Sequence, residues 1–407
     1  MKRIQGGVTA AKGFKATGYA AGIKYKERTD MAMVTSSVPC RAAGTFTTNV
    51  VKAACVKWDQ KIVKESPFAQ AVVVNSGIAN ACTGKQGFDA CEATAKAVEE
   101  ALSIPKDACL VASTGVIGMQ LPVDRLVKGV RAMAPALKET AEAGTEAAKA
   151  IMTTDTVSKE IAVTFEIDGK EVTLGGMAKG SGMIHPNMCT MLAFLCTDLN
   201  ISKTLLQEAL SDVVVDSFNM ISVDGDTSTN DTLLLLSNGL AGNAEITERD
   251  ENYEIFKNAL KEVCTELAQM LAGDGEGATA LFEAKVIHAD TKEHARTLAK
   301  SVICSNLSKA AIFGHDANFG RFLCALGYSG VSFDPENMEL CLMNATDKML
   351  IFKDGSAVDY SEEQATKLLS AEKVTVYVDM KMGEEEATAW GCDLSYDYVK
   401  INADYRS

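Results

Sequence analysis

Histidine is scarce in this chain, and none of its four copies stands at metal-ligand spacing from another. His288 and His294 are six residues apart, on different faces of any helix that carries them, which argues against a zinc hydrolase. A Ser-His-Asp hydrolase would need a G-x-S-x-G elbow beside one of these imidazoles, and the chain has no such motif. Twelve cysteines occur singly, with no C-x-x-C pair, and many sit in apolar runs such as Ala108-Cys109-Leu110-Val111-Ala112. They read as small reduced core residues, neither disulfides nor zinc ligands. Basic residues are outnumbered by acidic ones, 40 against 54, so the net charge of -14 counts against a surface built to hold phosphate backbones. No apolar stretch reaches membrane-span length, and Met1-Lys2-Arg3-Ile4-Gln5-Gly6-Gly7 is not followed by an apolar leader region. The expectation is a cytoplasmic protein that binds neither nucleic acid nor membrane.

What is present is apolar content for a large core, 47% of 407 residues, enough for roughly two or three domains. The first fifty residues read as strands and turns. Residues 71–74 are all apolar and fit a strand buried on both faces, ending in the turn Asn75-Ser76-Gly77. A helix is expected over 88–102 and a strand over 109–112, the latter ending in Ser113-Thr114-Gly115. Residues 121–150 form a helical tract with breaks expected near Pro135 or Gly144. Alternation on both sides of Asp168-Gly169 predicts a hairpin over 161–174. Further on, an amphipathic helix is expected over 202–218 and a strand over 233–236. Beyond about residue 285, helices (291–304, 361–369) alternate with strands (around 286, 338–343, 374–378), which predicts a smaller α+β unit. The aspartates from Asp224 to Asp231 do not form a calcium loop, because Thr229 and Leu235 stand where Gly and Glu are required. Gly273-Asp274-Gly275-Glu276-Gly277 lacks the lysine of a P-loop.

One segment stands out: Lys179-Gly180-Ser181-Gly182-Met183-Ile184-His185-Pro186-Asn187-Met188-Cys189-Thr190-Met191-Leu192. Its glycines admit unusual backbone conformations, Pro186 stiffens it, and it delivers one threonine to an apolar run. A threonine hydroxyl is a weak nucleophile unless a base adjoins it, and its own α-amine can be that base if the residue is a chain terminus. Such an amine titrates near ~8, so part of it is neutral at neutral pH. Thr190 would then act only after the Cys189-Thr190 bond is cut. A glycine-rich turn entering a buried strand is the commoner meaning of such a pattern. Other groups are equally two-sided. Thr114 and Gly115 could receive an oxyanion or form a plain turn; Lys179 could pair with a carboxylate; Glu276 could grip an amine. His185 reads as structural more readily than as catalytic, and Asn402 and Ser407 as a frayed tail.

Taken together, these blocks strongly resemble the ornithine acetyltransferase (ArgJ) family, the glutamate N-acetyltransferases of arginine biosynthesis. The resemblance runs the length of the chain, through Gly7-Val8-Thr9-Ala10-Ala11-Lys12-Gly13-Phe14, Val74-Asn75-Ser76-Gly77, Ser113-Thr114-Gly115-Val116-Ile117-Gly118, Met152-Thr153-Thr154-Asp155-Thr156, Lys179 to Leu192, Asp224-Gly225-Asp226-Thr227, Gly273 to Thr279, Gly314-His315-Asp316-Ala317-Asn318 and Asn402-Ala403-Asp404-Tyr405-Arg406-Ser407. Two positions depart from the family pattern: Cys189 stands where Ala is common before the cut, and Ile78 where Asn is usual.

The resemblance implies a layered α+β fold like that of ArgJ and the DmpA amidases, with sheets sandwiched by helices and a smaller C-terminal α+β unit. It implies self-cleavage before Thr190 into an α fragment (1–189) and a β fragment. Residues 190–285 complete the catalytic domain, and 286–407 form a smaller domain whose tail reaches the active site. By position, Thr190 is the nucleophile, Thr114 and Gly115 are the oxyanion hole, and Thr153, Lys179, Thr190, Glu276, Asn402 and Ser407 contact substrate. The implied activity transfers acetyl from N2-acetyl-L-ornithine to L-glutamate by a ping-pong route, with no cofactor or metal, in a heterotetramer of two α and two β fragments. The sequence leaves open whether acetyl-CoA is also a donor. The rival reading is a related self-cleaving amidase or aminopeptidase that uses water as acceptor.

Overall fold

Alternating and continuous apolar runs of this chain fold into two mixed β-sheets flanked by helices; the structure is a computed structural model that describes residues 1–185 and 191–404. The described residues form two units. The first comprises Met1–Gly180, Pro186–Asn219 and Thr227–Leu267, and the second Ser181–His185, Met220–Asp226 and Ala268–Ser407, within the described ranges. The chain therefore leaves the first unit after Gly180, and the described residues from Met191 belong to it again.

The first unit is organised by a nine-stranded sheet. Its spine is the 16-residue strand Met31–Phe46, whose first half pairs with Phe14–Tyr19 and Ala69–Ile78 and whose second half pairs with Thr232–Ser237. The register shifts between Thr35 and Cys40, around Pro39, which has no N–H to give to a ladder. Ala69–Ile78 runs parallel to Cys109–Val116, and the all-apolar residues 71–74 are buried on both faces, as a parallel strand covered by helices demands. On the other side, Thr232–Ser237 lies parallel to Leu192–Thr197, which pairs antiparallel with Lys170–Lys179. The expected hairpin is Lys159–Ile167 with Lys170–Lys179; Asp168 (φ 51°) and Gly169 (φ 71°) make the two-residue turn, left-handed at both positions.

Helix ends follow local chemistry. Thr140 accepts the N–H of Ala143 and Ser202 that of Leu205, so the helices Ala141–Ala150 and Lys203–Val215 begin at their caps. The tract 121–150 breaks at Pro135, which sits in a single turn of 3-10 helix. Gly144 does not break it. That glycine lies inside the helix, where a Cβ would come within 2.8 Å of Thr9 Oγ1.

The second unit holds a seven-stranded sheet in which Leu281–Ala289 runs parallel to Lys373–Asp379 and antiparallel to Glu385–Cys392. The expected helices are Lys292–Cys304, capped by Thr291, and Glu362–Leu369, capped by Ser361. The expected strands are Leu281–Ala289, Glu339–Met343 and Lys373–Asp379. Among the described residues no helix is long and apolar enough to cross a membrane, and the eleven described cysteines are free thiols.

Candidate active site

In the first unit the candidate residues gather at strand ends and in the loop that carries Thr153. Thr114 and Gly115 close the strand Cys109–Val116 and pair with Ser76 and Gly77 at the end of the neighbouring strand. Gly115 has φ +130°, and a Cβ there would fall 2.2 Å from the Gly77 carbonyl carbon, so no other residue fits. The strand ends are fixed from beneath by a buried polar net. Asn230 Nδ2 donates to Ser113 O (2.8 Å), Ser113 Oγ donates to Asn75 Oδ1 (2.7 Å), and Asn75 Nδ2 donates to Ile78 O (2.9 Å). A net with its partners satisfied is rigid, and rigidity is what a backbone N–H must have to stabilise a transient charge.

Lys179 ends the strand Lys170–Lys179 opposite Leu192, two residues after Thr190 in the chain. It is 7% exposed. Its Nζ donates to Thr153 Oγ1 at 2.7 Å and lies 3.5 Å from Thr114 Oγ1 and 3.8 Å from Asp155 Oδ2. An isolated ammonium could not be buried so deeply; Asp155 is what permits it. That carboxylate has no exposed side-chain surface. Its Oδ1 accepts Lys159 Nζ (2.8 Å) and the Gly180 N–H (2.7 Å), and its Oδ2 accepts the Thr153 N–H (2.9 Å). Burial pushes the carboxyl up, but the charges of Lys179 and Lys159 with these hydrogen bonds outweigh it and hold the group far below the usual carboxylate range. Asp155 thus ties Thr153, Lys179 and Gly180 together through one side chain.

Asp155 carried no role in the sequence reading, although it lies in the quoted Met152 to Thr156 block with a lysine four residues on. Asp231, next to the strand Thr232–Ser237, was missed too. It is 1% exposed, and burial drives its carboxyl well above the usual range despite hydrogen bonds from Ser228 and Thr47 and the charge of Lys179. Two buried aspartates of one unit thus titrate in opposite directions, because two lysines flank Asp155.

The second unit carries Glu276 and Asn402. Glu276 is 6% exposed; Asn402 Nδ2 donates to its Oε2 at 2.7 Å, and its own N–H donates to Ser181 O at 3.0 Å. Among the described residues no lysine or arginine forms an ion pair with it. The glycines here serve a closer purpose than the entry of a ligand. A Cβ on Gly182 would lie 2.4 Å from the Glu276 carboxylate, and one on Gly277 would lie 2.7 Å from the Tyr398 backbone nitrogen. Ser395 Oγ donates to Gly277 O at 2.6 Å. The helix Tyr396–Ala403 is therefore packed on the Glu276 loop, and Asn402 belongs to an ordered helix, not a frayed end. Asp224, from the rejected calcium motif, accepts the N–H groups of Met183 (2.6 Å) and Ile184 (2.9 Å) and anchors the segment after Lys179. His185 Nδ1 is 3.1 Å from Ser222 Oγ; burial, with the charge of Lys300, holds its pKa down to about 4. Cys189, Thr190 and Ser407 lie outside the described residues.

A hydroxyl and a fixed glycine N–H at the end of a parallel strand, with a buried ammonium from the end of an antiparallel one 3.5 Å from that hydroxyl, are the equipment of an acyl-transfer enzyme, able to stabilise negative charge developing on a carbonyl oxygen. Comparison with known proteins gives the family. The ArgJ family model matches residues 15–407, and the chain belongs to that family. It is 51% identical over 409 aligned positions to the arginine biosynthesis bifunctional protein ArgJ of Symbiobacterium thermophilum, covering all of both chains. It is 50% identical over 400 residues to ArgJ 1 of Clostridium acetobutylicum, covering 98% of this chain and 97% of the relative. A crystal structure of arginine biosynthesis bifunctional protein argJ from Bacillus halodurans is similar at 42% identity and a TM-score of 0.50, over 52% of this chain and 97% of that one.

Proposed function

We propose that this chain is a self-cleaving ornithine acetyltransferase of arginine biosynthesis, which moves the acetyl group of N2-acetyl-L-ornithine to L-glutamate and also accepts it from acetyl-CoA. The observation that carries the reading is the Lys179 cluster: a buried ammonium tied to Thr153 and Asp155 and 3.5 Å from the Thr114 hydroxyl, at the end of a strand paired with the one that Thr190 leads into. The family membership supports it across the whole chain.

In this mechanism the Cys189-Thr190 bond is cut first, which frees the Thr190 amine to act as base. Thr190 Oγ attacks the acetyl carbon and its proton passes to that amine. The oxyanion is met by Thr114 Oγ1–H and the Gly115 N–H, one such donor being worth on the order of 3 kcal/mol. Ornithine leaves with the proton held by the Thr190 ammonium. The amine of glutamate then attacks the acetyl-threonine ester, loses its proton to the same base, and departs as N-acetylglutamate with Thr190 regenerated. Lys179 and Thr153 hold an α-carboxylate. Glu276, with Asn402 as its hydrogen-bond partner, takes an ammonium group of ornithine, and by the family resemblance Ser407 also belongs to the substrate set. No step calls for a metal or cofactor. The cut gives an α fragment of 189 and a β fragment of 218 residues (407 − 189), which pair and assemble as two α and two β fragments in the cytoplasm. A relative's solved chain that aligns over 52% of this one, and is itself 97% covered, supports a molecule of two polypeptides.

The test is N-terminal sequencing of the purified protein, with acetate release measured with and without glutamate. The larger fragment should begin Thr-Met-Leu-Ala-Phe, and a Thr190→Ala protein should remain one chain without activity. A different start refutes the cut, and acetate released equally fast without glutamate makes the enzyme an amidase.

A further inference from the structure

A recess of about 650 Å³ opens in the first unit behind the loop that carries Thr153, and nothing in the mechanism above uses it. Its walls include Arg28, Lys149, Thr29, Thr156 and Ser158, with Glu27 the one carboxylate among its lining residues. Arg28 Nη2 donates to the carbonyls of Met152 (2.6 Å) and Thr153 (3.0 Å), so the wall is braced directly against a residue of the Lys179 cluster. Arg28 ends the run Lys24-Tyr25-Lys26-Glu27-Arg28, which holds three cations in five residues. Lys24 Nζ lies 4.9 Å and Arg28 Cζ 5.8 Å from the centroid of the Tyr25 ring. In a chain of net charge -14 this is a local reversal of sign.

The chemistry of the recess is that of a polyanion site: a guanidinium, an ammonium and hydroxyl donors around a space large enough for a nucleotide. A negatively charged enzyme that draws acetyl groups from CoA has to attract a donor whose phosphates carry roughly three to four negative charges. Acetylornithine makes no such demand. We infer that the recess lined by Arg28 and Lys149 binds the phosphate-bearing end of acetyl-CoA, while the pantetheine arm leads past the Met152–Thr153 wall to the acyl-transfer residues. The inference rests on the reading of acetyl-CoA as a donor. It gives the two donors one acyl site but separate handles, so the handle can be altered without touching the chemistry.

Steady-state kinetics with glutamate as acceptor tests this on the cleaved enzyme, using acetyl-CoA, acetyl-dephospho-CoA and acetylornithine as donors. Lys149 is the residue to change, since it is exposed and makes no contact with the Thr153 carbonyl that Arg28 braces. Lys149→Glu should raise the KM for acetyl-CoA roughly 10-fold at low salt, with the effect shrinking as salt screens it. Its kcat, and both constants for acetylornithine, should stay where they were. Glu27→Gln should move the KM for acetyl-CoA the opposite way, and wild-type enzyme should bind acetyl-dephospho-CoA less well. An unchanged KM for acetyl-CoA in both variants, or equal changes for both donors, overturns the inference and leaves the donor reading intact. Failure of the wild-type enzyme to use acetyl-CoA at all removes the donor reading and this site with it.

Discussion

Lys179 in the first unit and Glu276 in the second are both buried charged residues, and they are held in opposite ways. Around Lys179 the partners lie within the protein: Asp155 faces both Lys159 and Lys179, which leaves one ammonium in excess, and its remaining hydrogen-bonding capacity goes to the N–H groups of Thr153 and Gly180. Around Glu276 the side-chain partner is an asparagine amide and Gly182 packs closely, with no lysine or arginine ion pair among the described residues. The first cluster is held in place by an ion pair inside the protein. The second keeps a buried carboxylate without such a pair among the described residues.

The sharpest way to break this contrast is Asp155→Asn. The amide cannot balance two buried ammonium groups, and losing one partner of a buried pair costs about 3–5 kcal/mol. Urea unfolding at pH 7 should show that loss, and the companion change Lys159→Met should return part of it. The pH dependence fixes the cause. The native carboxyl titrates below its unfolded counterpart, so its contribution is complete above ~4 and disappears only as pH falls further, through the native value. The gap between wild type and Asp155→Asn should therefore be flat from pH 5 to 8, about 3 pH units of range, and a gap that varies across it would remove the ion-pair account.

Next in size, Thr114→Val keeps the shape of a strand-end residue but removes the hydroxyl near Lys179. It should lower kcat on the order of 10²–10³-fold with KM for acetylornithine nearly unchanged. A large KM change with kcat preserved would move Thr114 from charge stabilisation to substrate binding. Smallest is Glu276→Gln, which can still accept the Asn402 hydrogen bond. It should leave stability within about 1 kcal/mol and raise KM for acetylornithine roughly 10-fold through the lost charge. Should it instead destabilise the protein as much as Asp155→Asn does, the two clusters would be alike after all.

Much of the local architecture was legible because short-range chemistry decides it. Asp168-Gly169 could only be a tight turn between alternating segments, residues 71–74 had no polar face to expose, and Ser202, Thr291 and Ser361 stand where helix caps belong. Gly144 misled because a glycine in a helical pattern signals either a break or a close contact, and only packing against Thr9 distinguishes them. Local pattern alone reads Asn402 as a frayed end, because nothing near it in the chain announces that Glu276 will meet it 126 residues away; only the family resemblance pointed to an ordered tail.

By itself the amino-acid sequence determined which candidate residues this protein offers and in what order they come: Thr114-Gly115 late in a strand, Lys179 before a glycine-rich segment, Thr190 ahead of an apolar run, Glu276 among glycines. It also determined the family, because so many short blocks recur together. The tertiary structure alone decided how those residues are held. Asp155 becomes the common anchor of Thr153, Lys179 and Gly180 only when a loop folds against a strand end, and Arg28 meets the Thr153 carbonyl across 125 residues of chain. Local signals extend over a turn or a pleat, whereas a buried charge is stabilised by whatever the fold brings within a few ångströms, and that depends on strand order and register.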